Sequence, residues 1–533
     1  MTDAGNAKLL GIDLGTTTTV VAELHDETPT IVTWENGATA ILSTFDLATE
    51  EVGKDHSTHA ADLIRESKKF MGLSADLCLD VLENCEYPYT MEGTSFAGSS
   101  GVNMRPEEIA AQILKKVADK FPDAQVKAVI TVPAYFDDLS RRATKNAAMM
   151  AGIEVVELMN EPSAATNAEA HRLPEDCKVI TIDMGGGTMD VAAIEKSANA
   201  LKVVGMSGDP HLGGAQMDRL VADKIVSDKS RKKKGGRSSK PSKEARSRLL
   251  SAVKVAKHAL SKATTADIRV TDYDVKGDLT VTLTRDSFDK IVRQKLSTVT
   301  THITEAVLDA GWKAKDVDSI LLVGGSARIP LLKTLAMNTL PTAGILEGVN
   351  VDVAVAKGAA KRIGHLLQRQ QSTQPTEITE IAVHTLGIGV VNDGFTPIIP
   401  KGTQLPATLD RPFTTSADFQ KTMHIAVYRG ESAMCCLNAC LGVFGLDIMP
   451  MPRGEARVVV TFRYSEEGML TVTAKEISGL SSERQVRMTR DSPGEFHPSE
   501  IEMTRRKIAK DQDAAKESTD AAKESTDADS DEE

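Results

Sequence analysis

Two tetrapeptides, Ile12-Asp13-Leu14-Gly15 and Ile182-Asp183-Met184-Gly185, constrain this chain more than any other feature. Each follows an apolar run, Leu9-Leu10-Gly11 in one case and Val179-Ile180-Thr181 in the other. Each leads through glycine and threonine into a second apolar strand, Val20-Val21-Ala22 in the first copy and one beginning at Val191 in the second. The second turn is the richer, with Gly185-Gly186-Gly187-Thr188 bracketed by Asp183 and Asp190. Glycines lack Cβ, so their amides can converge on an anion without steric cost. Carboxylates beside such a turn suit a hydrated Mg²⁺ rather than the phosphate itself. Taken singly, either copy reads equally well as a tight hairpin with surface aspartates. A repeat this far apart predicts two similar lobes, each offering one phosphate-gripping hairpin. A nucleotide held between them would let hydrolysis open or close a cleft.

A chain of 533 residues is long enough for several domains, each with its own core. Its net charge of −12 argues against general nucleic-acid affinity. The six cysteines form no C-x-x-C pair and no disulfide framework. Cys435, Cys436 and Cys440 cluster, so a zinc site is imaginable, but no histidine lies at ligand spacing. Small buried hydrophobes in a reducing compartment are the simpler reading. The N-terminus has no apolar signal region, and the longest uncharged apolar run, 432–446, is too short to span a bilayer. The C-terminus carries no retention or lipidation signal. A cytoplasmic protein without membrane association is the expectation.

Along the chain, residues 61–72 read as a helix closed by Gly72, with Lys68 and Lys69 on a solvated face. Pro106 starts an amphipathic helix bearing Ile109, Ile113 and Val117. Residues 128–144 read as a buried strand turning into a helix. Residues 152–165 repeat that pattern, with Glu161 at the strand end. Strand ends beside helix N-termini are where α/β folds place chemistry, although Glu161 also suits a simple helix-start acid.

These stretches fall into one order: residues 11–17, 131–144, 160–165 and 183–190, then Gly208-Asp209-Pro210-His211-Leu212-Gly213-Gly214 and Leu322-Val323-Gly324-Gly325-Ser326-Ala327-Arg328-Ile329-Pro330. Order and spacing resemble the heat-shock protein 70, or DnaK-type, chaperones over roughly residues 9–510, and six ordered motifs are far more specific than one glycine loop. The resemblance implies an α/β actin-like, two-lobed nucleotide-binding domain followed by a β-sandwich of the substrate-binding type. It implies ATP or ADP with Mg²⁺ as ligands, with K⁺ as a further candidate cation. Asp13 and Asp183 would hold Mg²⁺ through water. Gly15, Thr16 and Thr17 would face Gly185, Gly186, Gly187 and Thr188 across the phosphates. Lys68 would position the attacking water, and Glu161, Thr188 and Asp190 would complete the hydrolytic shell. Gly213, Gly214, Lys257, Ser261, Gly324, Gly325, Ser326 and Arg328 would surround the nucleoside, closed by Asp352. Pro133 and Arg141 match the family's relay to the domain interface. Phosphoryl transfer needs placed cations and a positioned water more than covalent chemistry.

Departures from the family begin at the adenosine pocket. Lys254 stands where the family has glutamate, His258 where it has arginine, and Pro210 where it has threonine. The basic run 231–243 suits ribosomal RNA or a nuclear signal, and equally a solvated loop. Thr379 and Glu380 interrupt the apolar linker 375–382, so weaker docking of that linker is expected.

From residue 383 the pattern alternates as in a sandwich, with a hairpin at Glu467-Gly468. Phe413, Met423 and Ile425 fall on the family's peptide-groove positions, and equally on one core face. The loop at Asp393 is short, Ser416 replaces an arch alanine, and residues 432–440 have lost most of the charges usual there. That last segment is a partner-binding patch if exposed and ordinary core if buried. The lid is reduced to one helix, and the repeated Ala-Ala-Lys-Glu-Ser-Thr-Asp reads as a solvated acidic tail rather than a coiled coil.

The resulting division is 1–374 nucleotide-binding, 375–382 linker, 383–492 sandwich, 493–512 remnant lid and 513–533 tail. The expected function is that of an ATP-binding, ATP-hydrolysing chaperone assisting protein folding and the stress response. Its expected partners are weakly held unfolded or nascent polypeptides, J-domain proteins and nucleotide exchange factors. The alternative is a regulatory or ribosome-associated family member that holds few clients of its own.

Overall fold

The computed structural model describes residues 7–55, 57, 59–85, 88–232, 241–274, 277–368, 376–478, 485–487, 496 and 498–508. Most of the basic run and the whole acidic tail therefore lie outside the described residues.

Each tetrapeptide ends the first strand of an antiparallel hairpin. Ala7–Leu14 pairs with Thr18–His25, and Cys177–Met184 pairs with Met189–Ser197. The sheets around the two hairpins grow in the same way. On one side an antiparallel strand follows, Thr28–Ile31 in the first sheet and Ala200–Asp209 in the second. On the other side lie two parallel strands: Gln125–Val132 and Glu154–Asn160 in the first sheet, Ser319–Val323 and Gly344–Ile345 in the second. The central strands are apolar on both faces, as a sheet covered on both sides requires. Leu10, Ile12, Ile180 and Ile182 are all fully buried.

The helix after each sheet's last strand crosses to the other lobe. Glu161–Glu169 packs on the first strand of the second hairpin, and Ala354–Gln368 packs on that of the first. The two helices cross where a Cβ on Gly358 would lie 1.7 Å from the Ala164 carbonyl oxygen, so only glycine fits there.

Residues 61–72 do not form the expected helix. Leu63–Arg65 is a strand paired with Thr44–Asp46, and Glu66 turns at φ 57° into a short 3₁₀ turn, Ser67–Phe70. Leu63 and Ile64 are both buried, which a helix with one wet face would not need. The helix Pro106–Ala118 forms with Ile109, Ile113 and Val117 inward.

The C-terminal strands make two four-stranded antiparallel sheets. One runs Gly394–Ile399, Leu386–Val390, Thr422–Arg429, Ala439–Asp447; the other runs Ala407–Thr414, Arg457–Tyr464, Leu470–Glu476, Gln485–Arg487. Alternate residues face inward: Met423, Ile425 and Val427 meet Val458, Val460, Phe462 and Val472 in one core.

The linker is docked, and it docks with little apolar area, as its sequence implies. Glu377–Thr379 adds a parallel strand to the open edge of Ala200–Asp209. Ile378 and Ile381 pack into the apolar cluster beneath that edge. The interrupting Glu380 is half-buried and accepts a 2.8 Å hydrogen bond from Asn160 Nδ2. Backbone pairing and one polar anchor replace apolar area that the sequence lacks.

The helix at 498–508 packs on the first lobe. Phe496, Ile501 and Ile508 join that lobe's core, and the Arg105 guanidinium sits 3.4 Å from the Phe496 ring centre.

Candidate functional site

The turns of the two hairpins press against each other. A Cβ on Gly186 would lie 1.8 Å from Thr17 Oγ1, and one on Gly187 would lie 2.7 Å from Thr16 Cγ2. Threonines on one turn thus fill the space that glycines leave on the other. Gly213 and Gly214 close from the side, with the Gly214 amide donating to the Gly185 carbonyl at 3.1 Å.

A cavity of about 770 Å³ opens above this junction, between the lobes. Its floor carries Asp13, Gly15, Thr16, Thr17, Glu161, Asp183, Gly185, Gly186 and Thr188. Lys68 Nζ and Glu161 Oε1 form a buried ion pair of 2.7 Å just below that floor. The isolated 3₁₀ turn, not a helix face, aims Lys68 inward, and the Asn160-Glu161 junction of strand and helix brings the acid to it.

The floor is acid-rich. Burial, and then the Glu161 carboxylate, pushes Asp13 up to about 7 and Asp190 up to about 8. Burial, and then Glu161, Asp13 and Asp190, raises Asp183 well above the ordinary carboxylate range. Four carboxylates face one ammonium, so the floor is short of positive charge. An all-oxygen donor set with excess negative charge fits a hard divalent cation such as Mg²⁺. Among the described residues no three histidine, cysteine or acidic groups converge closely enough to chelate a bare ion, so a cation here would keep water in its shell.

Asp190, Gly187, Gly213 and Lys68 do not line the cavity; they lie buried behind it or form its frame. Tyr135, whose hydroxyl is raised well above its ordinary value by burial and then by Asp190, is next to that buried acid.

The far wall comes from the helix Lys243–Leu260 and the strand-end turn at 324–328. On that helix Ser247, Leu250, Ser251, Lys254, Lys257 and His258 recur at three- and four-residue spacing, so one stripe faces the cavity, and Ser261 and Lys262 continue it. Lys257 Nζ donates to the Gly214 carbonyl and pairs with Asp218 at 2.8 Å each. Ser326 Oγ donates to the Gly185 carbonyl at 2.7 Å, and Arg328 pairs with Asp352 at the rim. Gly324 turns at φ 80°, where a Cβ would lie 2.6 Å from Asp183 Oδ1. Ser261 lines the cavity with its hydroxyl bonded to the His258 carbonyl of its own helix. Burial, then Lys257 and Lys254, holds the His258 imidazole down at about 4. Sequence reasoning missed Asp218: a lone aspartate on a helix carries no motif, and only the fold brings it to Lys257.

A second set of contacts links this cavity to the sandwich. Asn160, which precedes Glu161, accepts a 2.8 Å bond from Arg141 Nη2 and donates to Glu380. Arg141 Nη1 donates to the Glu467 carbonyl at 3.0 Å. The Glu467 carboxylate takes Lys145 Nζ at 2.5 Å and the Leu158 amide at 3.1 Å. The hairpin turn expected from Glu467-Gly468 is thus a contact point between sandwich and first lobe, beside the Arg429–Asp137 ion pair. Lys401 and Asp309 add a 2.6 Å ion pair on the second lobe.

The three groove candidates are not gathered into an open floor. Met423 and Ile425 are in the sandwich core, at 8% and 1% exposure, while Phe413 packs against that core half-buried. Inward alternation along Thr422–Arg429 places them there. The uncharged segment 432–440 is instead exposed, with Met434 and Leu437 outward and Cys435 alone of its cysteines buried. No helix of the described residues is long and apolar enough to cross a membrane.

The model of the Hsp70 protein family matches residues 9–533. A "Chaperone protein dnaK" from Cyanidioschyzon merolae is 33% identical over 519 residues, covering 93% of this chain and 84% of that protein. "Heat shock 70 kDa protein 7, chloroplastic" from Arabidopsis thaliana is 32% identical over 504 residues, covering 91% of this chain and 69% of that one. Members of this family share an actin-like nucleotide-binding domain and a substrate-binding domain, and the two hairpin sheets and the sandwich are consistent with that plan. The chain belongs to the Hsp70 family.

Proposed function

We propose that the chain binds ATP with Mg²⁺ between its lobes, hydrolyses it, and uses the change to alter the sandwich's grip on extended polypeptide. The observation that supports this best is the hydrogen-bonded path leaving the floor of the cavity. Asn160, adjacent to Glu161, holds both the linker's Glu380 and Arg141, and Arg141 holds the sandwich hairpin at Glu467. A shift of Glu161 on loss of the terminal phosphate would therefore be felt at linker and sandwich together.

In this reading the glycine turn and Thr16 and Thr17 take the β- and γ-phosphates. Asp13 and Asp183 would hold Mg²⁺ through water, and the metal would supply positive charge to the phosphate oxygens. Lys68 donates a hydrogen bond to the attacking water, with Glu161, Thr188 and Asp190 fixing its orientation and accepting its proton network. Gly324, Gly325, Ser326, Arg328 and Asp352 frame the nucleoside with Lys257 and Ser261. K⁺ is a further candidate for the same acidic floor. Clients are weakly held polypeptides, since Met423 and Ile425 are core residues and the 498–508 helix lies on the first lobe, not over the sandwich. The J-domain proteins and exchange factors with which the family works are the expected partners. Cysteines that are all free among the described residues go with a reducing, cytoplasmic setting.

Single-turnover hydrolysis in the Lys68→Ala variant tests the chemistry. ATP should still bind while turnover falls on the order of 100-fold or more, as for loss of a preorganised donor. Undiminished turnover would sink the assignment. Anisotropy of a labelled apolar heptapeptide tests the chaperone half: fast exchange that ATP accelerates further is expected, and no binding in either state would overturn it.

A further inference from the structure

Charge, proline, short length or a covering strand protects nearly every sheet edge of this molecule from pairing with another chain. The linker strand Glu377–Thr379 covers Ala200–Asp209. In the first lobe Glu154–Asn160 carries Glu154 and Glu157 and gives its Leu158 amide to Glu467, while Thr28–Ile31 holds Pro29. In the sandwich Gly394–Ile399 holds Pro397, and Ala407–Thr414 holds Asp410, Arg411 and Pro412. The two-stranded sheet of Thr265–Asp274 and Gly277–Thr284 has charged residues on both strands. The other outer strands, Ala439–Asp447 apart, have three residues or fewer.

Ala439–Asp447 has none of these protections. It is nine residues long, ends its sheet, and pairs only with Thr422–Arg429 among the described residues. Residues 432–446 contain no charge and no proline. Cys440 and Val443 are exposed on the strand, and Met434 and Leu437 are exposed just before it. A row of unpaired backbone donors and acceptors therefore runs beside exposed apolar side chains, which is the surface that an added strand completes.

We infer that this edge takes an extended segment of another protein by strand addition, a segment uncharged along its length and neutral or basic at its ends. The inference rests on the polypeptide half of the proposed function and places the polypeptide on the strand's outer edge, since Met423 and Ile425 are enclosed in the core. Charge selects this occupant over a second copy. Asp393 holds the turn that leads into the strand, through the Cys436 amide, and Asp447 ends the strand. The nearby Arg429 is engaged with Asp137 of the first lobe. Two copies paired antiparallel would set each strand's start against the other's end, acid against acid, between chains that each carry a net charge of −12. A foreign strand with basic ends would meet the same two acids favourably.

Anisotropy of the full chain with a labelled peptide of alternating valine and threonine, a lysine at each end and a benzophenone at its centre, tests this. The peptide should bind and, on irradiation, crosslink to residues 437–447. Val443→Glu should weaken binding on the order of 10-fold, because the buried carboxylate would face apolar side chains of the added strand; thermal melts check that the variant is folded. Replacing the terminal lysines by aspartates should weaken binding several-fold, by a margin that shrinks as salt rises. Full affinity in Val443→Glu, with crosslinks confined to the loops 391–393 and 415–421, would overturn the inference and leave polypeptide binding intact. No binding of the peptide at all would refute the polypeptide reading, and this inference would fall with it. A dimer in sedimentation that Val443→Glu separates would give the edge to a second copy and overturn the inference as well.

Discussion

The two lobes of the nucleotide-binding region are built on one sheet order but solve the same packing problem with different residues. In the first lobe Gly11 lets the crossing helix Ala354–Gln368 approach until a Cβ there would lie 2.1 Å from the Ala360 amide. In the second lobe the equivalent residue is Thr181, one before Ile182 as Gly11 is one before Ile12. Its buried hydroxyl meets Thr166 of the other crossing helix at 2.7 Å. One contact is close backbone packing, and the other is a side-chain hydrogen bond. The turns differ in the same sense. Threonines project from the first and glycines recede in the second, so the two turns can touch. The free edges differ too: the outer strand of the second sheet takes the linker, which ties only that lobe's sheet to the sandwich by backbone pairing. A repeated fold is thus asymmetric at the cavity between the lobes and at the edge where the linker docks.

The largest test of that comparison is at the helix crossing. Gly358→Ala would drive a methyl into the Ala164 carbonyl and should cost about 3 kcal/mol or more, read as a fall in melting temperature or loss of soluble protein. An unchanged melting temperature would mean that the helices cross more loosely than described. Next come the turns. Gly186→Ala collides with Thr17, whereas a Cβ on Gly185 meets nothing nearer than 3.9 Å. Nucleotide affinity should fall about tenfold or more in the first, roughly 1.4 kcal/mol, and little in the second. Equal losses in both variants would show that backbone approach to the ligand, not contact between turns, selects these glycines. Thr181→Val keeps shape and removes one buried hydrogen bond, leaving Thr166 without this partner. A destabilisation of about 1–2 kcal/mol is expected in denaturant melts, and no change would break the contrast with Gly11.

The smallest effect concerns the linker edge. Burial raises the Glu380 carboxyl above its ordinary value, Ser163, Asn160 and Arg141 partly offset that, and Glu157 adds to it. Because the docked value is the higher one, protonation favours docking. Docking is strongest below the ordinary carboxylate range and weakens as pH rises through the raised value. Glu380→Gln retains an acceptor for Asn160 and carries no charge. It should make protease sensitivity of 376–382 independent of pH and lower at neutrality. A pH profile that persists in the variant would assign the effect to another group.

What the sequence misplaces or leaves open has a common cause. The closing Gly72 makes residues 61–72 read as a helix, yet Leu63 and Ile64 form a strand against Thr44–Asp46. Glu380 looked like a defect because its partner, Asn160, is far away in sequence. Met423 and Ile425 suit the family's groove positions and a core face equally, because alternation fixes which face a residue takes, not whether that face is open. In each case the deciding contact is long-range, and local pattern carries no trace of it.

The hairpins themselves were legible. Apolar alternation sets the strands, and only glycine and small polar residues can make such turns, so local chemistry alone places Asp13, Asp183 and the threonines at two hairpin turns. The sequence by itself therefore determined that there are two phosphate-type hairpins and a family to which they belong. Only the tertiary structure decided that Lys68 meets Glu161, that Asp218 takes up Lys257, and that Glu380 reaches Asn160. Each of those is a charge or polar group whose state depends on its neighbours in space. Burial and pairing are properties of the packed chain, and no residue carries them alone.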